Sequence, residues 1–313
     1  MKRYSQVSKR NSRVIVTGGA GFVGSNLTDF LINKGFKVYV FDNLSSGRKE
    51  YVNPKANFIL VDLVNAKKVS ELVAKIKPST IHHVAALPRI LRSVDDPVGT
   101  HEANVRATLS MLEAARVTQV EKFIFSSSSS IYGLQKIAKM NEKMVPNPIS
   151  HYALQKLMSE MYCTFYANKF GLKAISLRYF NVYGNRQPDT GEYSLVIGKF
   201  LKSADRNENL TVFGDGKQTR DYTYIDDVVA ANYKAMKNPL VKGKNIILNI
   251  GFGKEVSVND LVKIIGGNAT YIRPNPRGEY EERRKYSDSH LAQKVISWKA
   301  RIDITKGIDL LRK

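Results

Sequence analysis

The 313 residues include 49 Lys and Arg against 28 Asp and Glu, a net charge of +21, with 43% hydrophobic and 25% charged content and one cysteine, Cys163. Those proportions exclude global disorder, and a lone thiol excludes both an internal disulfide and a cysteine-rich zinc site. No apolar run approaches the ~18 residues that a membrane span needs, and the basic residues are spread along the chain without a dense tail or an aromatic-interleaved run, so neither a membrane nor nucleic acid is the expected partner.

The start, "MKRYSQVSKRNSR", is basic with no apolar stretch behind it, which points away from a secretory signal and towards a cytoplasmic location. A β-rich run, Val14 to Thr17, is followed by a glycine turn and a periodic apolar helix from Phe22 to Asn33, closed by Gly35. "KVYVFDN", "NFILVD" and "STIHHVAA" read as further strands, with the helical "NAKKVSELVAKIKP" between the last two. "GTHEANVRATLSMLEAARV" reads as one long helix, "KFIFSSSSS" as a fifth strand, and "YALQKLMSEMYCTFYANKFG" as a helix leading into the strand "LKAISLRYF". Alternation of strands with helices of this length predicts βαβ units and a doubly wound parallel α/β sheet of Rossmann type. The pattern loosens after about residue 180. The expected organisation is a dinucleotide-binding domain over 1–180 and, over 181–313, a smaller α/β lobe that covers the sheet's carboxyl edge and returns some segments to it.

"TGGAGFVG" sets Gly18, Gly21 and Gly24 between a strand and a helix. The first glycine permits a tight turn, the second a close approach of backbone to a pyrophosphate, the third close packing of helix on strand. The helix start at Phe22 and Val23 offers free N–H groups to the phosphates. Asp42, beside Asn43 at the end of the second strand, can accept both adenosine ribose hydroxyls and would repel a 2′-phosphate. NAD is therefore expected over NADP, with Arg48 as the one residue favouring the latter.

"SHYALQKLMSE" places Tyr152 and Lys156 four positions apart in a helix, on nearly one face. By itself the spacing fits a half-buried tyrosine above a solvated lysine. Downstream of a dinucleotide site it fits a proton-moving pair, in which the ammonium and the positive nicotinamide ring lower the phenol from its ordinary value near ~10.

In order along the chain, "TGGAGFVG", "HVAA", "SVDDP", "SSSSSIYG", "YALQK", "RYFNVYG", "GDGKQTRDYTYIDDV" and "LNIGFGKEVSV" resemble the extended short-chain dehydrogenase/reductases, and within them the UDP-glucose and UDP-N-acetylhexosamine 4-epimerases. The resemblance implies NAD as cofactor, a UDP-sugar as substrate, and a homodimer built through a four-helix bundle from helices near 98–117 and 151–168. It implies that Asp62 and Leu63 flank the adenine, that His83, Val84, Ala85 and Ala86 line the pyrophosphate and ribose, and that Asn104 braces the sheet. Counting back from "IYG" puts the catalytic hydroxyl on Ser128, with a slip of one or two serines open. In the implied chemistry Tyr152 takes the proton of the sugar 4-hydroxyl, hydride leaves C4 to give a 4-ketose, and both return on the opposite face of the sugar. Related 4,6-dehydratases carry Asp-Glu after the catalytic hydroxyl residue, and related decarboxylases keep a Glu there. Ser129 and Ser130 cannot replace a carboxylate, which argues for redox at C4 alone.

The same resemblance implies substrate contacts from Arg92, Ser93, Asn181 and Arg220, with Arg277 and Glu279 on phosphate and ribose and Arg283 as a rival to Arg277. Asp226 and Asp227 are expected to cap a helix. The gate that admits or excludes an N-acetyl group falls on Lys285; a lysine matches neither a bulky nor a small gate and would suit the carboxylate of a uronic acid. The sugar is left open between hexose, N-acetylhexosamine and uronate. A net-oxidising dehydrogenase and a non-catalytic scaffold or nucleic-acid-binding role are the rival readings.

Overall fold

Val14, Ile15 and Val16 are all fully buried, as only a strand covered on both faces requires. Val14 and Val16 enter one apolar core and Ile15 the other, on opposite sides of the sheet. The computed structural model describes residues 13–188, 195–273, 278 and 283–313. Seven strands form the main sheet: β1 (Arg13–Thr17), β2 (Lys37–Asp42), β3 (Asn57–Leu60), β4 (Thr80–His83), β5 (Lys122–Ser128), β6 (Lys173–Tyr179) and β7 (Asn245–Ile250). Their order is β3-β2-β1-β4-β5-β6-β7, and every pairing is parallel. Strand order reverses between β1 and β4, which opens a crevice at their carboxyl ends.

The helices that matter for the site are α1 (Phe22–Asn33), α2 (Ala66–Ile76), α3 (Ala107–Val117) and α4 (His151–Phe170). The long helix expected over 99–117 is broken up: Pro97–His101 is α-helical, Glu102–Arg106 forms one π turn, and α3 follows. Asn104 lies in that π turn and is buried. Its Oδ1 accepts from Leu87 N–H at 2.7 Å and its Nδ2 donates to Gln155 Oε1 at 2.7 Å, so the extra residue turns a carboxamide towards both the cavity loop and α4. The fifth strand stops at Ser128; Ser129–Tyr132 form a 3-10 turn.

A separate four-stranded sheet runs in the order Val256–Ser257, Thr219–Arg220, Arg284–Ser287, Lys139–Met140, so one of its strands comes from before residue 180. Arg220 and Lys285 are register partners in it. Asp226 and Asp227 fall in the first turn of the helix Ile225–Lys237, whose N-cap is Tyr224, so they are not its caps. Asp227 instead accepts from the backbone N–H groups of Arg301 and Ile302, both at 2.9 Å, fastening the C-terminal segment.

Candidate active site

The carboxyl ends of the sheet open into one cavity of about 730 Å³ that runs from Asp42 and Asp62, past the glycine turn, to Tyr152 and on to Arg220. At the first end, Gly18 has φ +68°, and a Cβ there would lie 2.8 Å from Ala85 Cα, so neither the turn nor the contact with the β4 loop tolerates a side chain. A Cβ on Gly24 would lie 2.1 Å from the Gly18 carbonyl oxygen, which is how closely α1 sits on the turn. No side chain caps α1, and its opening residues Phe22, Val23 and Gly24 line the cavity. First-turn N–H groups there suit a pyrophosphate. Asp42 accepts from Ala20 N–H at 2.9 Å and Leu44 N–H at 2.8 Å, one per oxygen, which fixes the carboxylate on the wall where a ribose diol would be read. Asn43, Asp62, Leu63, Ala85 and Ala86 also line this end. Donor set and shape fit a dinucleotide.

His83, expected on the wall, stands behind it. Thr17 Oγ1 accepts from Val84 and Ala85 N–H and therefore donates to His83 Nδ1 at 2.9 Å; His83 Nε2 then carries the proton towards Thr108 Oγ1 at 3.0 Å. Burial pushes the imidazole down to about 3, so it is a neutral strut for the β4 loop.

Ser150 caps α4 by accepting from Ala153 N–H at 3.2 Å, which starts the helix one residue before Tyr152. The five serines have separate tasks. Ser126 Oγ lies 3.0 Å from Tyr179 Oη, and its carbonyl accepts from Lys156 Nζ at 2.8 Å. Ser127 Oγ donates to Glu160. Ser128 hydrogen-bonds the Tyr152 phenol. Its Oγ also accepts from the backbone and hydroxyl of Ser130. Ser129, nearly buried, follows in the 3-10 turn. Ser128 is thus the serine that faces Tyr152, and Tyr152, Lys156 and Ser128 share the cavity wall.

Lys156, expected to lower Tyr152, is not among the groups that lower it. Burial pushes the phenol above its ordinary value, against the opposing pull of the Ser128 hydrogen bond and the Arg89 charge. Lys156 is itself pushed down to about 8 by burial, with its ammonium turned to the Ser126 carbonyl. Arg89, which the sequence reading missed, lines the cavity with φ +103°, a conformation costly for a residue with a Cβ. Its place between the end of β4 and Arg92 was the only signal in the sequence.

At the far end Arg92, Asn181, Arg220 and Lys285 line the cavity. Asn181 donates to the Asp221 carbonyl at 3.1 Å, and Lys285 Nζ to the Ser129 carbonyl at 3.3 Å, which sets this ammonium beside the end of β5. Ser93 is off the wall and fully buried: its hydroxyl donates to the Ile90 carbonyl and accepts from Tyr152 N–H at 2.9 Å. It anchors the start of α4. Arg283 forks onto Asp215 and holds that carboxyl down to about 2. Arg277 and Glu279 lie outside the described residues. Among the described residues no group of three or more His, Cys, Asp or Glu could hold a metal, and no helix is long and apolar enough to cross a membrane.

A parallel sheet with a glycine turn at its switch point, and a Ser–Tyr–Lys set across the same crevice, define an NAD-dependent enzyme of the extended short-chain dehydrogenase/reductase type. The chain belongs to the NAD dependent epimerase/dehydratase family, whose model it matches over residues 14–251. It is 36% identical to the UDP-glucose 4-epimerase of Mycolicibacterium smegmatis, over 95% of this chain and 96% of that one. Among solved structures it is similar to the UDP-glucose 4-epimerase of Thermotoga maritima with UDP-glucose (TM-score 0.90, 36% identity, 95% of this chain and 96% of that one). It is also similar to the UDP-N-acetylglucosamine 4-epimerase of Methanobrevibacter ruminantium in complex with UDP-N-acetylmuramic acid (TM-score 0.88, 30% identity, 96% and 98%).

Proposed function

We propose that the protein interconverts the C4 epimers of a UDP-linked hexose or N-acetylhexosamine, with no net consumption of NAD. NAD in the glycine-turn cradle supplies the acceptor and donor for the C4 hydride. Tyr152 takes the 4-hydroxyl proton and later returns it, Ser128 holds the phenol, and Lys156 fixes the face of α4 that meets the nicotinamide ribose. Arg220 and Asn181 keep the diphosphate anchored while the 4-keto sugar turns over between its two faces. The observation that carries this reading is the set beside Tyr152: a serine in contact with the phenol, followed by Ser129 and Ser130 on the same wall. No carboxylate follows that serine to serve as the extra acid or base that loss of water would need. The test is a panel of UDP-glucose, UDP-N-acetylglucosamine, UDP-glucuronate and their 4-epimers, without added NAD and with Tyr152→Phe as control. Interconversion of one pair, lost in the control, is the expected result; net reduction of NAD in a parallel assay with the cofactor added would favour a dehydrogenase.

A second reading, a UDP-uronate, is favoured by Lys285. Its ammonium is buried on the cavity wall next to Ser129, abreast of Arg220, where the carboxylate of a uronic acid would meet a cation. The same panel decides it.

We also infer a homodimer and a cytoplasmic location. Leu154, Met161 and Phe165 lie along one face of α4 and are 46%, 63% and 54% exposed, while Lys156, Glu160 and Cys163 on the opposite face are buried. Such an apolar stripe on a long helix suits pairing with a second copy in a four-helix bundle. A monomeric mass by light scattering at micromolar concentration would refute it. The division near residue 180 into a cofactor domain and a substrate lobe is part of the same reading.

A further inference from the structure

Tyr152, Lys156 and Glu160 stand at i, i+4 and i+8 on α4 and meet three consecutive residues of β5. Tyr152 meets the Ser128 hydroxyl, Lys156 Nζ the Ser126 carbonyl at 2.8 Å, and Glu160 Oε2 the Ser127 hydroxyl at 2.8 Å. The first two contacts belong to the reaction centre; the third does not. Glu160 is also gripped by Arg178, whose Nε donates to Oε2 at 3.0 Å and Nη2 to Oε1 at 2.5 Å; both side chains are 3% exposed. Ser127, Arg178 and Asn249 are register partners on three adjacent strands, one row behind the row that holds Ser128. Arg178 Nη1 donates to the Tyr132 hydroxyl at 2.9 Å, and that hydroxyl donates to Asn249 Oδ1 at 2.7 Å. Tyr132 ends the 3-10 turn that begins immediately after Ser128. The carboxylate therefore ties α4 to the strand on one side of Ser128, and the guanidinium ties it to the turn on the other.

Stability alone is a weak reason for this arrangement. Two buried charges lose about as much solvation as they regain from each other, and apolar replacements of similar volume are often neutral or stabilising. What an apolar pair cannot supply is a directional bond to the Ser127 hydroxyl and to the Tyr132 phenol. We propose that Glu160 and Arg178 are positioning residues: acting through Ser127 and Tyr132, they fix the end of β5 against α4 and so set the distance and angle between Ser128 and Tyr152. This rests on the epimerase reading above. Neither residue touches the cavity wall.

Two variants of the full-length enzyme test it. Ser127→Ala deletes one hydrogen bond and leaves the ion pair intact; Glu160→Met with Arg178→Met replaces the pair by apolar side chains of similar length. Assayed with UDP-galactose and UDP-N-acetylgalactosamine, both are expected to lose kcat roughly 10- to 100-fold, the scale of a misplaced reacting group. KM should stay within about twofold, since Glu160 and Arg178 are off the cavity wall and Ser127, which is on it, spends its hydroxyl on Glu160. Bound NAD and the melting temperature of Ser127→Ala should be unchanged, and Ser127→Thr, which keeps the hydroxyl, should recover most of kcat. If the double variant does not fold, Ser127→Ala and its threonine rescue decide alone. Unchanged kcat in Ser127→Ala, or a loss that vanishes well below the melting temperature, overturns the proposal. If the unaltered enzyme turns over neither of these sugars nor UDP-glucuronate, the epimerase reading falls and takes the proposal with it; activity in the unaltered enzyme separates the two failures.

Discussion

Lys156 Nζ donates to the Ser126 carbonyl at 2.8 Å and sits 4.9 Å from the centroid of the Phe125 ring. Burial holds this ammonium at about 8, below the ordinary value of 10.5. Below about 8 the folded protein carries a buried charge that the unfolded chain would solvate. Between there and 10.5 the unfolded chain binds a proton that the folded one does not, so this group's contribution to stability rises with pH across that window. The gap corresponds to a cost of about 3 kcal/mol near neutral pH. Lys156→Met removes it but strands the Ser126 carbonyl, which costs about 1–3 kcal/mol. The variant is expected to melt at or a few degrees above the unaltered enzyme at pH 7 while turnover falls by roughly 10²–10⁴. A clear drop in melting temperature would contradict this account of Lys156.

Ser128 is the one of the five serines in contact with the Tyr152 phenol, and its hydrogen bond pulls against the upward push of burial. Deleting a contact that lowers a phenol raises it further. Because Tyr152 must be deprotonated to take the 4-hydroxyl proton, the acid limb of kcat against pH moves to higher pH in Ser128→Ala. The substitution touches neither Lys156 nor Arg89, so their influence on the profile is common to both proteins. Turnover at neutral pH is expected to fall by roughly 10²-fold or more, and the limb should be unmoved in Ser126→Ala, whose hydroxyl meets Tyr179 instead. Equal profiles for Ser128→Ala and the unaltered enzyme would remove Ser128 from the catalytic set.

Asp42 divides its two oxygens between Ala20 and Leu44 N–H groups. Asp42→Asn keeps one acceptor and places an amide donor against the other N–H, so one backbone group loses its partner at about 1–3 kcal/mol of stability. The charge that would accept from the ribose diol and repel a 2′-phosphate is gone as well. NAD affinity, measured by fluorescence titration, should fall about tenfold or more, the equivalent of about 1.4 kcal/mol. The ratio of NADP to NAD affinity should rise. If both nucleotides bind as before, Asp42 is a turn residue only.

The cofactor half of this site was legible in the sequence because each requirement is local. A glycine at φ +68°, a helix start without a cap and an acid at a strand end all lie within one βαβ unit, and the expected helix from Phe22 to Asn33 has the observed bounds. What was missed depends on the third dimension. Ser93 resembles a substrate contact by position, yet the fold turns its hydroxyl beneath α4. His83 is the last residue of a strand that ends at the cavity, but strand alternation points it to the threonines behind. Glu160 and Arg178 are eighteen positions apart and meet only because β6 runs beside β5 under α4. The positive φ of Arg89 has no signature in its neighbours, since such strain is imposed by the surrounding structure.

Lys285 decides between the two substrate readings. It is nearly buried, its Nζ reaches the Ser129 carbonyl, and its strand partner is Arg220. If the sugar carries a carboxylate, the buried ammonium pairs with it, and Lys285→Met should cost about 2–5 kcal/mol in that contact, a loss in kcat/KM of roughly 30-fold or more for UDP-glucuronate. The same variant should change kcat/KM for UDP-glucose by less than about threefold, because a methionine of similar length refills the wall and UDP-glucose has no carboxylate contact to lose. If the sugar is uncharged, the order reverses: the unaltered enzyme prefers UDP-glucose or UDP-N-acetylglucosamine, and Lys285→Met leaves that preference in place. Steady-state kinetics of both proteins on the three sugars distinguishes these outcomes, and equal losses on every sugar would make Lys285 a support for the Ser129 carbonyl with no part in choosing the substrate.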